Sequence, residues 1–563
     1  NKAFAEERVE AFPFAGLGPL QLAVILGRTD LIDALLDRGV AVDERSDARM
    51  PTALHLALLA GHEPAALALL QRGADAVLSI GHGMSAAPIA AMMGFTNVLS
   101  ELRTRGVPLD EPGVDGMTPL ATACRHGKLG AAQWLLAQGA SVGATNRYGA
   151  TPLHLAVRGG DAELISLLLQ HGADPQALDQ DDRSALMDAV RGVHIAAVSA
   201  LARDAAVVNQ TNRHNMTAVT LAIEQGSTAA LDMLAAGGAD LAWRDAQGET
   251  LMHRAVRHHQ PEVIAWLARH NVDVNARVAQ ADRMGDTPLL LAVRLRNPVD
   301  IPALMQAGAD AELAAADGFT PLLIAIHHQD LAVVQHLLEG GARANTTLPD
   351  GRSPLMRAAY QGETNQLALL LQHGADINHT SERGDTAMHL TVYGDKVANL
   401  AFLLDHGADP TLPHGKAQWP VLLDAAWRGK KEIVALLLDR GIDVNTRHEI
   451  DDETALILAA KQGHLHVVRL LLDRGADPAL RAEGVTAWHA AVTRQHPEVA
   501  ALLASRMAPA DMAPTNYIPV YFELDDPYAS QVTVAGEFNG WNSESHPLRR
   551  RDDDGWWYAE IPL

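Results

Sequence analysis

Thr151-Pro152-Leu153-His154-Leu155-Ala156 opens a segment that closes on His171-Gly172-Ala173-Asp174. Between the two, Glu163-Leu164-Ile165-Ser166-Leu167-Leu168-Leu169 places apolar residues on one face of a helix. Working outward from this segment, the same frame recurs in both directions. Units start at Gly18, Thr52, Ser85, Thr118, Thr151, Ser184, Thr217, Thr250, Thr287, Thr320, Ser353, Thr386, Pro420, Thr454 and Thr486, and nine of the fourteen steps between them are 33 residues. A fixed period of that length is the mark of a repeat architecture, in which each unit is one supersecondary element stacked on its neighbours.

The positions that recur within this one chain have physical reasons. Thirteen of the fifteen unit starts are Thr or Ser, the side chains that accept hydrogen bonds from the free N–H groups at a helix start. The sixth position is Ala in fourteen units, from Ala23 to Ala491, with Thr391 the exception; a small side chain there lets neighbouring helices approach closely. The tenth position is Gly in nine units, Gly61, Gly160 and Gly463 among them, which suits a turn between two helices. Asp and Glu fall mostly in the Gly-Ala-Asp closures and hairpin tips, where they satisfy turns.

Over about nine-tenths of the chain this pattern resembles the ankyrin family. The resemblance implies a mainly α fold: a solenoid of about fifteen helix-pair units, curved, with hairpin loops along one edge. The concave face, made of hairpins and first helices, is the family's usual binding face. At roughly 10 Å per step, a normal helix-packing distance, that face is on the order of 140 Å long, suited to a protein or polymer and too long for a metabolite. The eighth position of each unit ends the first helix and in the family faces the groove. It reads Ile25, Leu59 and Met92, then Arg125, Arg158, Arg191, Arg257 and Arg294 interrupted by Glu224, then His327, Tyr360, Tyr393 and Trp427, then Lys461 and Thr493. Five arginines in one register would focus potential toward an anionic partner; set against that, they can be ordinary helix residues paired with nearby acids. Tyr360, Tyr393 and Trp427 are of the residue types that anchor interfaces, or alternatively pack on adjacent hairpins.

Composition removes several function classes. The net charge of −23 argues against general nucleic-acid or anionic-membrane binding, which rests on neutralising phosphates. No apolar run reaches the ~18 residues of a membrane-spanning helix. Asn1 to Glu10 lack the basic-then-apolar profile of a leader, so the expected location is cytoplasmic, although the chain does not begin with Met. The single cysteine, Cys124, takes a small-residue slot after Ala123 and excludes an intramolecular disulfide or a multi-cysteine zinc site. The 26 histidines are poor metal candidates. His55, His154, His253, His389 and His489 occupy the fourth position of their units, where the family uses histidine for hydrogen bonds between units. No cofactor, metal or catalytic residue is expected: the chain has no phosphate loop ending in Lys-Ser/Thr and no His-Glu-x-x-His.

Two irregularities stand out. The step from Thr250 to Thr287 is 37 residues, which enlarges the hairpin around Ala279 to Met284. The unit at Ser184 closes on Arg203-Asp204-Ala205-Ala206 in place of Gly-Ala-Asp. Either can mark a bend, a weak seam or harmless drift.

After Met507 the repeat stops. Residues 1–507 are read as the solenoid, 508–516 as a Pro- and Ala-containing linker, and 517–563 as a separate β module with strand-like runs at Ile518 to Leu524, Gln531 to Val534 and Trp556 to Ile561. Val532-Thr533-Val534-Ala535-Gly536-Glu537-Phe538-Asn539-Gly540-Trp541, followed by Pro547-Leu548 and Gly555-Trp556-Trp557, resembles the glycogen-binding carbohydrate module of the AMP-activated protein kinase beta subunit. A similar module precedes the catalytic domain of isoamylases and glycogen branching enzymes. The resemblance implies a partial all-β, early-set (immunoglobulin-like) sandwich in which Trp541 stacks on glucose rings. About half of a ~100-residue sandwich is present; the family's second sugar-binding Trp and its Lys would fall after Leu563 and are not carried over. The expected function is a non-enzymatic scaffold or adaptor, gripping a protein in its groove and tethered by its tail to glycogen or another α-glucan. Two other readings stay open: the regulatory front of a glucan-active enzyme, or a pure protein-interaction scaffold.

Overall fold

The computed structural model describes residues 17–44, 51–80, 83–278, 285–413 and 418–512, together with the strands Val520–Phe522, Arg549–Arg550 and Trp557–Ala559. The chain divides into two compact units, residues up to 280 and residues from 281. The protein is mainly helical: among the described residues the first unit holds eight helix pairs and the second seven. The enlarged hairpin expected at Ala279 to Met284 lies outside the described residues.

The central repeat shows why the sequence folds this way. Thr151 caps helix Pro152–Arg158, its Oγ1 accepting from the His154 N–H at 3.4 Å. The same hydroxyl lies 2.8 Å from His154 Nδ1, and His154 Nε2 lies 3.0 Å from the carbonyl oxygen of Arg183 in the next repeat. Burial pushes the imidazole below its usual pKa. A neutral ring can donate from one nitrogen and accept at the other, which both contacts require. Pro at the first helical position costs no hydrogen bond there. The second helix, Ala162–Gln170, starts on Asp161, whose carboxylate accepts from the Glu163 and Leu164 N–H groups, and it buries Leu164, Ile165 and Leu168.

Within each unit every first helix packs on its own second helix and on its neighbouring first helices, and the second helices pack on one another. The Ala of the sixth position sits at the centre of this stacking: Ala57, Ala90, Ala123, Ala156 and Ala189 are all completely buried. A larger side chain there would overpack the seam by about 1–3 kcal/mol. Thr391 fits the slot because its hydroxyl donates to the Met388 carbonyl at 2.6 Å. Next to Ala123, Cys124 is buried, and burial pushes its thiol up to about 12, so its thiolate is suppressed.

A second set of bonds fixes the hairpins. The closing Asp accepts from the N–H two residues on, as at Asp174 to Gln176, Asp310 to Glu312 and Asp477 to Ala479. A side chain from one hairpin also accepts from the backbone of the next: Asp110 from Ser141, Asn345 from Asp376, Asn378 from Asp409 and Asn445 from Asp477, all at 2.8–2.9 Å. These ties hold successive repeats at one rise and register.

The irregular repeat at Ser184 resolves into a local rebuild. Its second helix, Ile195–Leu201, ends early, and a separate turn of helix, Ala205–Val208, follows on an Asp204 cap. Asn209 then supplies the usual hairpin tie to the Asp240 N–H at 2.7 Å. The tail's described residues form an antiparallel three-stranded sheet in the order Val520–Phe522, Trp557–Ala559, Arg549–Arg550. The expected sandwich otherwise falls on residues outside those described. No helix among the described residues is long and apolar enough to cross a membrane.

The turn between helices needs a left-handed residue. At Gly160 (φ +70°) a Cβ would also come within 2.8 Å of the His194 ring of the next repeat. In the Ser184 unit Val193 holds that place at φ +56° and is 60% exposed. A β-branched residue there is strained by roughly 1–2 kcal/mol, more than the entropy glycine would add to the unfolded chain. Val193→Gly is therefore expected to stabilise its repeat by up to about 1 kcal/mol. Slower amide hydrogen exchange in helices Ala185–Arg191 and Ile195–Leu201 would show it.

Candidate binding surface

The first helices end at the eighth position in most repeats, including those of Arg125, Arg158, Arg191, Arg257, Arg294 and Trp427; the helices of Tyr360 and Tyr393 run one residue further. All of these side chains thus stand at helix C-termini, where the dipole favours cations. In the first unit, Arg125 and Arg191 are exposed, and among the described residues neither guanidinium makes a hydrogen bond or ion pair. Arg158, between them, is held twice: Nε to Asp188 at 2.7 Å and a terminal nitrogen to Asp179 at 2.8 Å. Both carboxylates are nearly buried, and Arg183 lies 3.3 Å from Asp179 and 3.6 Å from Asp188. Glu224 accepts from Arg254 of the next repeat. Arg257 Nε donates to Glu249 at 2.6 Å, and the Glu249 hydrogen bond raises the guanidinium pKa.

In the second unit Arg294 pairs with Asp286 at 3.0 Å and reaches Asp317 at 3.9 Å. Tyr360 is 43% exposed. Tyr393 is half-buried: its hydroxyl donates to Asp385 at 3.3 Å, and the Arg428 guanidinium sits 4.1 Å above its ring. Burial, then the charges of Asp424 and Asp385, push its phenol above the usual range. Arg428 is fixed in turn by Asp424, at 2.9 Å. Trp427 is half-buried with Trp419 tilted against it at 5.3 Å, and its carbonyl lies 2.9 Å from His464 Nε2. Trp541 lies outside the described residues.

Two rules organise these contacts, and sequence reasoning missed both. The first pairs the eighth position with the buried acid just before the same unit's start: Glu249 with Arg257, Asp286 with Arg294, Asp385 with Tyr393 and Glu453 with Lys461. The second pairs the eighth position with the fifth position of the next repeat: Arg158 with Asp188, Glu224 with Arg254 and His327 with Arg357. The charges are exchanged between the first two of these pairs. Complementary residues eight and thirty apart in the aligned repeats were the available signal.

Near Arg125 and Arg158 lies a cleft of about 430 Å³ that also touches Asn146 and Tyr148. Tyr148 is 48% exposed, with Arg147 stacked 4.7 Å over its ring; Arg147 pairs with Asp115 at 3.0 Å. Among the described residues no group of three or more His, Cys, Asp or Glu is placed to hold a metal ion.

Comparison with known proteins agrees with the repeat pattern. Family models described as "Ankyrin repeats (3 copies)" match residues 131–212, 206–278, 322–414, 355–448 and 422–515, and one described as "Ankyrin repeats (many copies)" matches 102–156. Together they span more than half of the chain. Residues 514–563 match "Carbohydrate-binding module 48 (Isoamylase N-terminal domain)". The chain is 32% identical over 101 residues to palmitoyltransferase ZDHHC13 of Homo sapiens, 18% of this chain and 16% of that protein, in the repeat region. On the tail it is 49% identical over 43 residues to the 1,4-alpha-glucan branching enzyme GlgB of Paramagnetospirillum magneticum, 8% of this chain and 6% of that enzyme. The chain thus spans less than a fifth of the length of either relative.

The Arg158 cluster yields a stability test. Asp188→Ala would leave Arg158 with one carboxylate and is expected to cost about 2 kcal/mol, the range of a charged hydrogen bond to a partly exposed partner. Chemical denaturation of the full chain, read beside hydrogen exchange in helices Pro152–Arg158 and Ala185–Arg191, measures it.

Proposed function

The chain belongs to the ankyrin-repeat family, and on that premise we propose that it is a non-enzymatic adaptor whose first-helix face binds a protein and whose tail holds an α-glucan. The observation that carries this reading is the joining of the fifteen helix pairs among the described residues to a carbohydrate-module match at residues 514–563. Stacked repeats present a long row of side chains from successive helix ends, and such rows are grafted with different contacts on one scaffold. In the second unit Tyr360 is the most open member of the aromatic row, while Tyr393 and Trp427 are braced by Arg428 and Trp419. Braced aromatic side chains lose little entropy on binding, which favours them as anchors.

For the tail, residues 517–563 are taken as the glucan-binding module, joined by 508–516 to a solenoid of residues 1–507. An indole face suits the apolar face of a pyranose, and Trp541 is the residue assigned that contact. A second reading, favoured by the tail's likeness to part of GlgB, is the regulatory front of a glucan-active enzyme. A glucan-branching assay on the natural full-length protein separates the two, since an adaptor shows no turnover.

Two measurements test the proposal. In glycogen co-sedimentation the full chain is expected to pellet and Trp541→Ala to stay in the supernatant; if neither pellets, the tether is lost from the reading. For the repeats, Tyr360→Ala, Tyr393→Ala and Trp427→Ala combined should weaken capture of the protein partner by about a thousandfold, the scale of two hot-spot truncations of about 2 kcal/mol each. Undiminished capture by this variant removes the aromatic row from the interface.

A further inference from the structure

The five arginines of the eighth position form two groups. Arg158, Arg257 and Arg294 are committed to carboxylates, and their charge is cancelled where it stands. Arg125 and Arg191 are exposed, and among the described residues nothing neutralises them. They end the helices Pro119–Arg125 and Ala185–Arg191, which flank the helix of Arg158 in the first unit. The carboxylates nearest Arg158 do not spoil the site, because Asp179 and Asp188 are shared between Arg158 and Arg183. Asp115, which borders the cleft, is paired with Arg147. One repeat beyond Arg191, the row passes to Glu224.

From this arrangement we infer that the first unit binds an extended acidic segment of a partner protein, one carboxylate on Arg125 and a second on Arg191. The inference rests on the reading of the first-helix face as protein-binding, and it names the chemistry of that partner. A guanidinium recognises a carboxylate through paired N–H donors, which a free arginine can offer and one already held by two aspartates cannot. Neutralised Arg158 acts as a spacer between the two acceptor points. Neighbouring first helices stand about 10 Å apart, so the two guanidinium groups are roughly 20 Å apart. An extended chain rises ~3.3 Å per residue, which places the two acidic residues of the ligand about six positions apart. The cleft beside Arg125, with the open edge of Tyr148 on its wall, has room for the side chain next to the first carboxylate. The remainder of the chain is strongly acidic and repels a polyanion as a whole, so recognition depends on the spacing of the two carboxylates more than on their number.

The test uses fluorescein-labelled synthetic peptides of Gly, Ser and Thr carrying two glutamates, read by fluorescence anisotropy against the full chain. The peptide with glutamates six positions apart is expected to bind about tenfold tighter than one with glutamates two apart, the scale of one charged hydrogen bond. Arg125→Glu and Arg191→Glu should each weaken it by about tenfold or more, with the far-UV circular dichroism unchanged, and a peptide with lysine replacing one glutamate should regain affinity for the charge-reversed protein. Equal affinity for both spacings, or indifference to both substitutions, overturns the inference. If the aromatic triple variant loses its protein partner while Arg125→Glu and Arg191→Glu keep it, the acidic-segment inference fails and the protein-binding reading stands. If all three variants keep the partner, the reading of this face fails with it.

Discussion

One constraint governs the molecule: a pair of seven- to nine-residue helices cannot bury its own apolar face. The Thr151 repeat hides Leu153, Leu155, Leu164, Ile165 and Leu168 only because the repeats on either side cover them. Helices this short are marginal alone, so the stability of each repeat is mostly that of its two seams. The buried alanine column sets how close the seams come. The hairpin ties from Asp110, Asn345, Asn378 and Asn445 set how far each repeat rises over the last. The fourth-position histidine, neutral because it is buried, adds one more bond across the seam at His154.

The surface row obeys the same logic. Because first helices stack side by side, the eighth position of one repeat meets the fifth of the next, and charge placed at one is answered at the other. Arg158 with Asp188 and Glu224 with Arg254 satisfy the same geometry with opposite signs. The buried acid ahead of each cap extends the pattern to Arg257, Arg294, Tyr393 and Lys461. A row that reads as a basic stripe is thus in large part a set of internal pairs, and the charge left over is concentrated at Arg125 and Arg191.

Much of this was legible in the residues. The period, the Thr and Ser caps, the alanine column and the glycine turns each follow from local geometry, and each stands where the 33-residue frame puts it. The rebuilt end of the Ser184 repeat was visible only as a missing Gly-Ala-Asp, because a short helix on an Asp204 cap and a tie from Asn209 replace that closure with different residues. The role of Trp541 in the tail rests on a motif.

The sequence by itself determined the repeat, the pairing of helices and the positions at which side chains reach the surface, because those depend on propensity, capping and period within one unit. Only the tertiary structure decided which of the aligned arginines are neutralised, which aromatic side chains are braced and which are open. Those outcomes depend on approaches of 2.6–2.8 Å between residues eight, twenty-one or thirty positions apart, and stacking one repeat on the next is what brings them together.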